Sequence, residues 1–394
     1  MNNFDIIKNM DVACEMPSYA RFQVAVDSGS GAVATDADGR EYLDMTSGIG
    51  VNSLGFSDPG WVGAVTAQAA KVQHVSNLFY SPVREQLAGE LCKATGMSKI
   101  FFANSGAEAN ECAIKIARKY SFDKGDTGRN EIITLVNSFH GRTVTTLSAT
   151  GQDSFHNYFF PFTGGFKHAI AGDIGDLKAK IDGKTCAVML EIIQGEGGVV
   201  PLPESYLKAV ETICRERDIL LMIDEVQTGA GRTGKLFAYE HFGIKPDVIT
   251  IAKGIGGGLP IGACLCSEKL GGVLSPGTHG TTYGGNPVAC AGALYTLKKI
   301  NTPEFLSDIA QKGGYLVSKL NELPEVAGVD GIGLMLGINL RTLDSKTLVT
   351  RCVQNGLLAL TAKEKLRFLP PLNITYEQID RAVELLAKSI NDLM

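Results

Sequence analysis

Between about residues 85 and 270, short continuous apolar runs that end in polar or glycine-rich stretches alternate with segments of helical period. The runs are KIFFAN (99–104), EIITLVN (131–137), CAVMLEII (186–193), ILLMIDE (219–225), DVITIAK (247–253) and IGACLCS (261–267). Apolar runs without alternation predict strands covered on both faces, and the helices between them predict a mostly parallel sheet of the α/β class. The last hundred or so residues read differently, with helical stretches at 303–322 and 376–392 beside short strands near 333–340 and 366–369. That pattern predicts a smaller α+β unit. Its last helix opens on a capping box, Thr375 with Gln378, and carries Ile379, Ala382, Val383, Leu386 and Ile390 on one face, a stripe for core packing.

Composition narrows the function without choosing it. The balance of 37 basic against 42 acidic residues, a net charge of −5, lacks the basic stripe that nucleic-acid binding requires. No uncharged apolar run of about 18 residues occurs and the N-terminus shows no leader pattern, so a cytoplasmic protein without a membrane partner is expected. The nine cysteines show no C-x-x-C pairs, which fits a reducing compartment, and the six histidines include no H-E-x-x-H spacing, so no metal is expected. Glycine, 46 of 394 residues, is abundant, and its clusters lie beside the strand ends.

In open α/β sheets ligands bind beyond the carboxyl ends of the strands. KIFFA leads into NSGAEANE, and Ala109, Cys112, Ala113, Ile116, Ala117 and Tyr120 mark the buried face of the helix that follows. Ser105, Gly106 and Ala107 therefore stand at a helix N-terminus, where free N–H groups favour a phosphate, although a merely capped helix would look the same. SFHGR places Phe139, His140 and Arg142 at the same edge: an aromatic and a cation suit a flat ring and a carboxylate, while His140 reads as satisfying local backbone groups. Asp224 ends an apolar strand, where an unpaired carboxylate costs several kcal/mol, so it needs a cationic partner, either a protonated pyridine nitrogen or an arginine. Lys253 also ends a buried strand, among glycines 254, 256, 257 and 258. Covalent use as a Schiff base fits there better than a snorkelling surface lysine, since burial lowers the amine pKa and frees the nucleophile. GAGRTGK (229–235) matches G-x-G-x-x-G, but DEVQT separates it from its strand and Leu236 stands where a P-loop needs Ser or Thr, so both nucleotide readings are set aside.

Taken in order, NSGAEANE, SFHGR, IIQGEGG, DEVQTGAGRTG, IAKGIGGGLPIGA and HGTTYGGNP resemble the motifs of class-III pyridoxal-phosphate-dependent aminotransferases, from about Tyr42 to Arg367. The resemblance implies a fold type I transferase: an N-terminal segment (1–50) packing with the small domain, a large cofactor domain (51–288) and a small C-terminal domain (289–394). It implies that Lys253 carries pyridoxal 5′-phosphate and moves the proton, that Asp224 pairs with the ring nitrogen, and that Gln227 approaches the ring hydroxyl. Val226 and Phe139 would sandwich the ring, with Ser105, Gly106 and Ala107 at the phosphate. Thr282 would reach the phosphate of a neighbouring subunit, so a homodimer with a shared active site is expected.

For substrates the resemblance implies transfer of the δ-amino group of N2-acetylornithine to 2-oxoglutarate. Arg142 and Arg367 would hold carboxylates, Glu196 would screen Arg367 while the amine donor is bound, and Thr281 would lie near the donor. Ala107, Ile192 and Thr281 depart from the residues most common in the family at those places, Thr, Pro and Ser. Succinylornithine, ornithine, 4-aminobutyrate or a lysine-pathway amine as donor stays open, as does an aminomutase.

Overall fold

Seven strands in the middle of the chain form one sheet. They are β1 (Lys99–Ala103), β2 (Glu131–Leu135), β3 (Phe166–Ala169), β4 (Thr185–Leu190), β5 (Leu220–Asp224), β6 (Val248–Ile251) and β7 (Gly262–Cys266). The computed structural model describes residues 2–394 and orders the strands β1-β7-β6-β5-β4-β2-β3. β7 runs antiparallel to both of its neighbours, and the other pairings are parallel. Strands β4 to β7 are buried along their whole length, as continuous apolar runs require. All six expected runs contribute a strand. β3 was not expected from the sequence, because FKHA is short and carries Lys167 and His168; at the sheet edge those polar side chains are tolerated.

The C-terminal part carries an antiparallel sheet of Val326–Ile332, Met335–Leu340, Lys365–Phe368 and Leu360–Ala362. A third sheet joins Val26–Ser30, Val33–Asp36 and Glu41–Asp44 to Leu357–Leu358, so the N-terminal and C-terminal parts of the chain share strands. The small antiparallel sheet packs closely on the segment that joins the short paired strands Ile193–Gln194 and Val200–Pro201: a Cβ on Gly337 would lie 2.8 Å from Val199 Cβ. Behind GAGRTGK lies a buried guanidinium. Arg232 donates to the carbonyls of Leu334 and Pro370 and to Ser47 Oγ, tying three distant segments together. The glycines of that motif thus surround the chain's own arginine.

The final helix, Tyr376–Asn391, starts as its sequence predicts. Thr375 Oγ1 accepts from Gln378 N at 3.2 Å, and Gln378 Oε1 accepts from Thr375 N at 3.0 Å. Ile379, Ala382, Leu386 and Ile390 are buried while Val383 is half-buried, so the stripe is rotated slightly toward Leu385. Removing the cap in Thr375→Ala should cost about 1 kcal/mol, read as a lower thermal midpoint at unchanged specific activity.

Candidate active site

The carboxyl ends of β2, β4, β5 and β6 reach one edge through parallel pairing, and that of β1 joins them through the two antiparallel pairings of β7; together they enclose a cavity of about 410 Å³. Its lining includes Ser105, Gly106 and Ala107 after β1, Phe139 and Arg142 after β2, Glu191 after β4, Asp224, Val226 and Gln227 after β5, and Lys253 after β6. The helix that follows β1, Gly106–Asp123, begins at this cavity and packs against β1, β6 and β7. Ser105 is its N-cap, accepting from Glu108 N at 3.2 Å, which leaves the N–H groups of Gly106 and Ala107 without partners in the helix. Gly106 is pressed against the cavity wall: a Cβ there would meet Val226 Cγ1 at 2.7 Å. Tyr120, at the far end of the expected helix face, is only half-buried.

Asp224 is 4% exposed, and its partners are not arginines. Oδ2 accepts from His140 Nδ1 at 2.8 Å and from Asn110 Nδ2 at 2.8 Å, while Oδ1 accepts from Val226 N at 3.0 Å. Asn110 is itself oriented by Thr250, whose hydroxyl donates to Asn110 Oδ1 at 2.6 Å. The expectation that His140 satisfies local backbone groups is not met: its ring is committed to Asp224 through Nδ1 and its Nε2 is without a partner among the described residues, while its own backbone N–H donates to Thr150 Oγ1 and its carbonyl accepts from Asn110. Sequence reasoning missed that ring contact and missed Asn110 altogether. The available signal was a polar residue on an otherwise apolar helix face, the seventh residue of NSGAEANE and four beyond the helix start at Gly106.

Lys253 follows β6 with φ at +45°, a left-handed backbone that a residue with a side chain adopts only at a cost. It is partly accessible through the cavity, yet no hydrogen bond or ion pair engages its amine among the described residues. Burial pushes its pKa down, Arg367 adds to that, and the carboxylates of Glu196, Asp224 and Glu191 oppose it. Asp224 pairs in register with Thr250 across β5 and β6, which sets the carboxylate and the amine at the same edge.

Arg367 lies on the strand Lys365–Phe368 of the small sheet, and its Nη1 meets Glu196 Oε1 at 2.5 Å. Burial raises the Glu196 carboxyl, but the guanidinium outweighs it and holds the pKa below the ordinary value. Gln227 Nε2 donates to the same Glu196 oxygen at 3.3 Å. Arg142 stands at the cavity rim with its guanidinium 4.0 Å from the centre of the Phe155 ring. Thr281 touches the site only through Asn104, whose Nδ2 donates to its hydroxyl at 3.3 Å. Thr282 is exposed and, with Thr281, lines a second cavity of about 650 Å³.

Comparison with known proteins decides what this geometry belongs to. A family profile described as aminotransferase class-III matches residues 16–390. The acetylornithine aminotransferase of Haemophilus ducreyi is 52% identical over 392 residues, 99% of either chain, and that of Aquifex aeolicus is 47% identical over 94% of this chain and 98% of its own. The chain belongs to the class-III aminotransferases. Among solved structures, ornithine aminotransferase from Toxoplasma gondii superposes with a TM-score of 0.95 at 31% identity, covering 100% of this chain and 96% of its own. N-acetylornithine aminotransferase from Stenotrophomonas maltophilia does so at 0.85 and 37%, covering 98% and 99%. The fold is therefore type I, and this class-III enzyme is a pyridoxal-phosphate-dependent transaminase.

The cavity suits that cofactor on its own evidence. A helix N-terminus with free N–H groups, a buried carboxylate without a guanidinium partner, a desolvated amine and the partnerless Gln227 Oε1 all border it. If Lys253 is the reactive amine, treating the aminotransferase with pyridoxal phosphate and borohydride should place a stable adduct on that one residue, located by peptide mass. Because its pKa is depressed, more of it is free amine at a given pH, so trapping should persist at a pH where exposed lysines no longer react. An adduct spread over surface lysines, or equal trapping in Lys253→Ala, would refute the assignment.

Proposed function

We propose that this class-III aminotransferase moves the δ-amino group of N2-acetylornithine to 2-oxoglutarate, as a cytoplasmic homodimer whose two active sites are shared. The observation that carries the donor is the name borne by its relatives, acetylornithine aminotransferase at 52% and 47% identity over nearly their whole lengths. In this reading the chain divides into an N-terminal segment (1–50), a large domain (51–288) and a small domain (289–394). The 288/289 division falls inside the helix Pro287–Ile300.

Pyridoxal phosphate, when bound, supplies an aldehyde for amines and a cationic ring that draws electrons from the carbon carrying the transferred nitrogen. The residues do the rest. Asp224, fixed by His140 and Asn110, keeps a proton on the ring nitrogen. Val226 and Phe139 would hold the ring, Gln227 would lie toward its hydroxyl, and Ser105, Gly106 and Ala107 would receive the phosphate, all of them lining the same cavity. Lys253 Nζ, whose charged form burial disfavours, would take a proton from the carbon bearing the amino group and return it to the carbon on the other side of the transferred nitrogen.

Both half reactions use the same amine, so carboxylates at different distances must be met by different cations. Arg142 takes the α-carboxylate of the donor or the γ-carboxylate of glutamate, and Arg367 takes glutamate's α-carboxylate. With the donor bound, Glu196 keeps Arg367 paired, because a buried guanidinium left alone costs several kcal/mol. Thr281 sits near the donor, and Thr282 reaches the phosphate of the neighbouring subunit. Support for a second copy comes from the surface beside it, where Leu78 and Tyr80 are 90% and 93% exposed and Phe79 and Tyr283 stand out as well. A cytoplasmic setting agrees with the described residues, among which no helix is long and apolar enough to cross a membrane.

A panel of N2-acetylornithine, N2-succinylornithine, ornithine and 4-aminobutyrate with 2-oxoglutarate should give the highest kcat/KM for N2-acetylornithine, by about tenfold or more. A higher value for any other donor would reassign the substrate. In Arg367→Ala the glutamate half reaction should fall at least about tenfold further than the donor half reaction, measured separately by single-turnover absorbance. Equal losses would remove the gating role of Glu196.

A further inference from the structure

Glu191 is a third carboxyl at the cavity, beyond Asp224 and Glu196. It follows β4 directly, is 8% exposed, and its Oε2 is buried without any hydrogen-bond partner. No cation forms an ion pair with it among the described residues. Arg367 is engaged by Glu196, the Lys253 amine is desolvated, and Asp224 is a carboxylate whose own donors are His140 and Asn110. Arg142 stands at the rim over Phe155. An ionised Glu191 would therefore be a buried anion with neither a cation nor a donor for Oε2, which proteins avoid by neutralising the group. Burial first, then the negative charges of Asp224 and Glu196, push its pKa well above the ordinary value; Lys253 and the Phe139 backbone N–H oppose this without overcoming it.

A neutral acid in this position has an O–H to place. Oε2 finds no acceptor in the chain, and the group lines the same cavity as Asp224, Lys253 and Gln227. We propose that Glu191 serves as an un-ionised acid whose Oε2–H donates a hydrogen bond to the cofactor held in the cavity, a binding residue distinct from the ionised Asp224. The inference rests on the reading of this cavity as the cofactor site. It assigns opposite protonation states to neighbouring carboxyls: Asp224 as the anion that holds a proton on the ring, and Glu191 as a donor that adds no charge.

Infrared difference spectroscopy tests the protonation state directly, because the carbonyl stretch of an un-ionised carboxylic acid is well separated from carboxylate bands. Glu225, whose carboxyl burial pushes up to about 7, supplies a second such band, so the Glu191 contribution is read as wild type minus Glu191→Gln at pH 8. A carbonyl band in that difference is expected, and its absence overturns the proposal. In the cofactor-loaded enzyme, Glu191→Gln removes no charge and keeps a donor. The pH midpoint of its visible absorbance should stay within about 0.3 unit of wild type. A midpoint lowered by about a unit or more would mean that a negative charge had been lost, contrary to the proposal. Glu191→Leu, checked for a native circular dichroism spectrum, should bind pyridoxal phosphate at least about tenfold more weakly, and unchanged affinity would overturn the donor role. If wild type gained no visible band with pyridoxal phosphate, the cofactor reading would fail, whereas the infrared result on the bare chain would still decide whether Glu191 is protonated.

Discussion

An aspartate at the carboxyl end of an otherwise apolar strand is tolerated only if its charge is met, and at Asp224 it is met by His140 Nδ1 and Asn110 Nδ2, both at 2.8 Å. Those contacts organise more than the carboxylate. Asn110 belongs to the helix Gly106–Asp123, so the bond that orients Asp224 also fixes the helix N-terminus that borders the other end of the cavity. Thr250, which orients Asn110, lies three residues before Lys253 on the neighbouring strand. Asp224, the helix N-terminus at Gly106 and the strand that leads to Lys253 are thereby placed relative to one another by a single chain of short hydrogen bonds.

Charge in the rest of the site is arranged around that aspartate and the Lys253 amine. Glu196 takes up Arg367, which leaves Lys253 beside a compensated pair rather than beside a bare guanidinium. Fold type I architecture explains how such groups meet, because strand ends from distant parts of the sequence converge on one edge while the small sheet brings Arg367 from the other side. The family assignment makes the chain a transaminase, and the lining of the cavity fits the cofactor that such enzymes use.

Much of this was legible in the sequence because burial on both sheet faces writes continuous apolar runs, and because a charged residue at the end of such a run is conspicuous. Lys253 and Asp224 stood out for that reason, as did the helix start at Ser105. What the sequence hid was lateral. FKHA escaped notice as an edge strand, since an edge needs no long apolar run. The ring of His140 reached Asp224 across 84 residues, a contact that no local pattern records. Asn110 and Glu191 were invisible because a polar residue inside a helix or just past a strand has many ordinary explanations until its neighbours are known. Thr282 lies exposed in the single chain, so its part in a shared site depends on a surface rather than on a pattern.

The separation of Arg367 from Lys253 has a bearing on how such an enzyme changes its preferences. One charge rides on the small antiparallel sheet and the other group follows a strand of the large one, and the seam where the small sheet meets the hairpin beyond β4 is as tight as Gly337 against Val199. The reach available to a bound molecule is therefore a property of the seam, a ruler whose two marks are engraved on different pieces. Mutations that slide the pieces past each other alter the measured length while every chemical group keeps its own bonds.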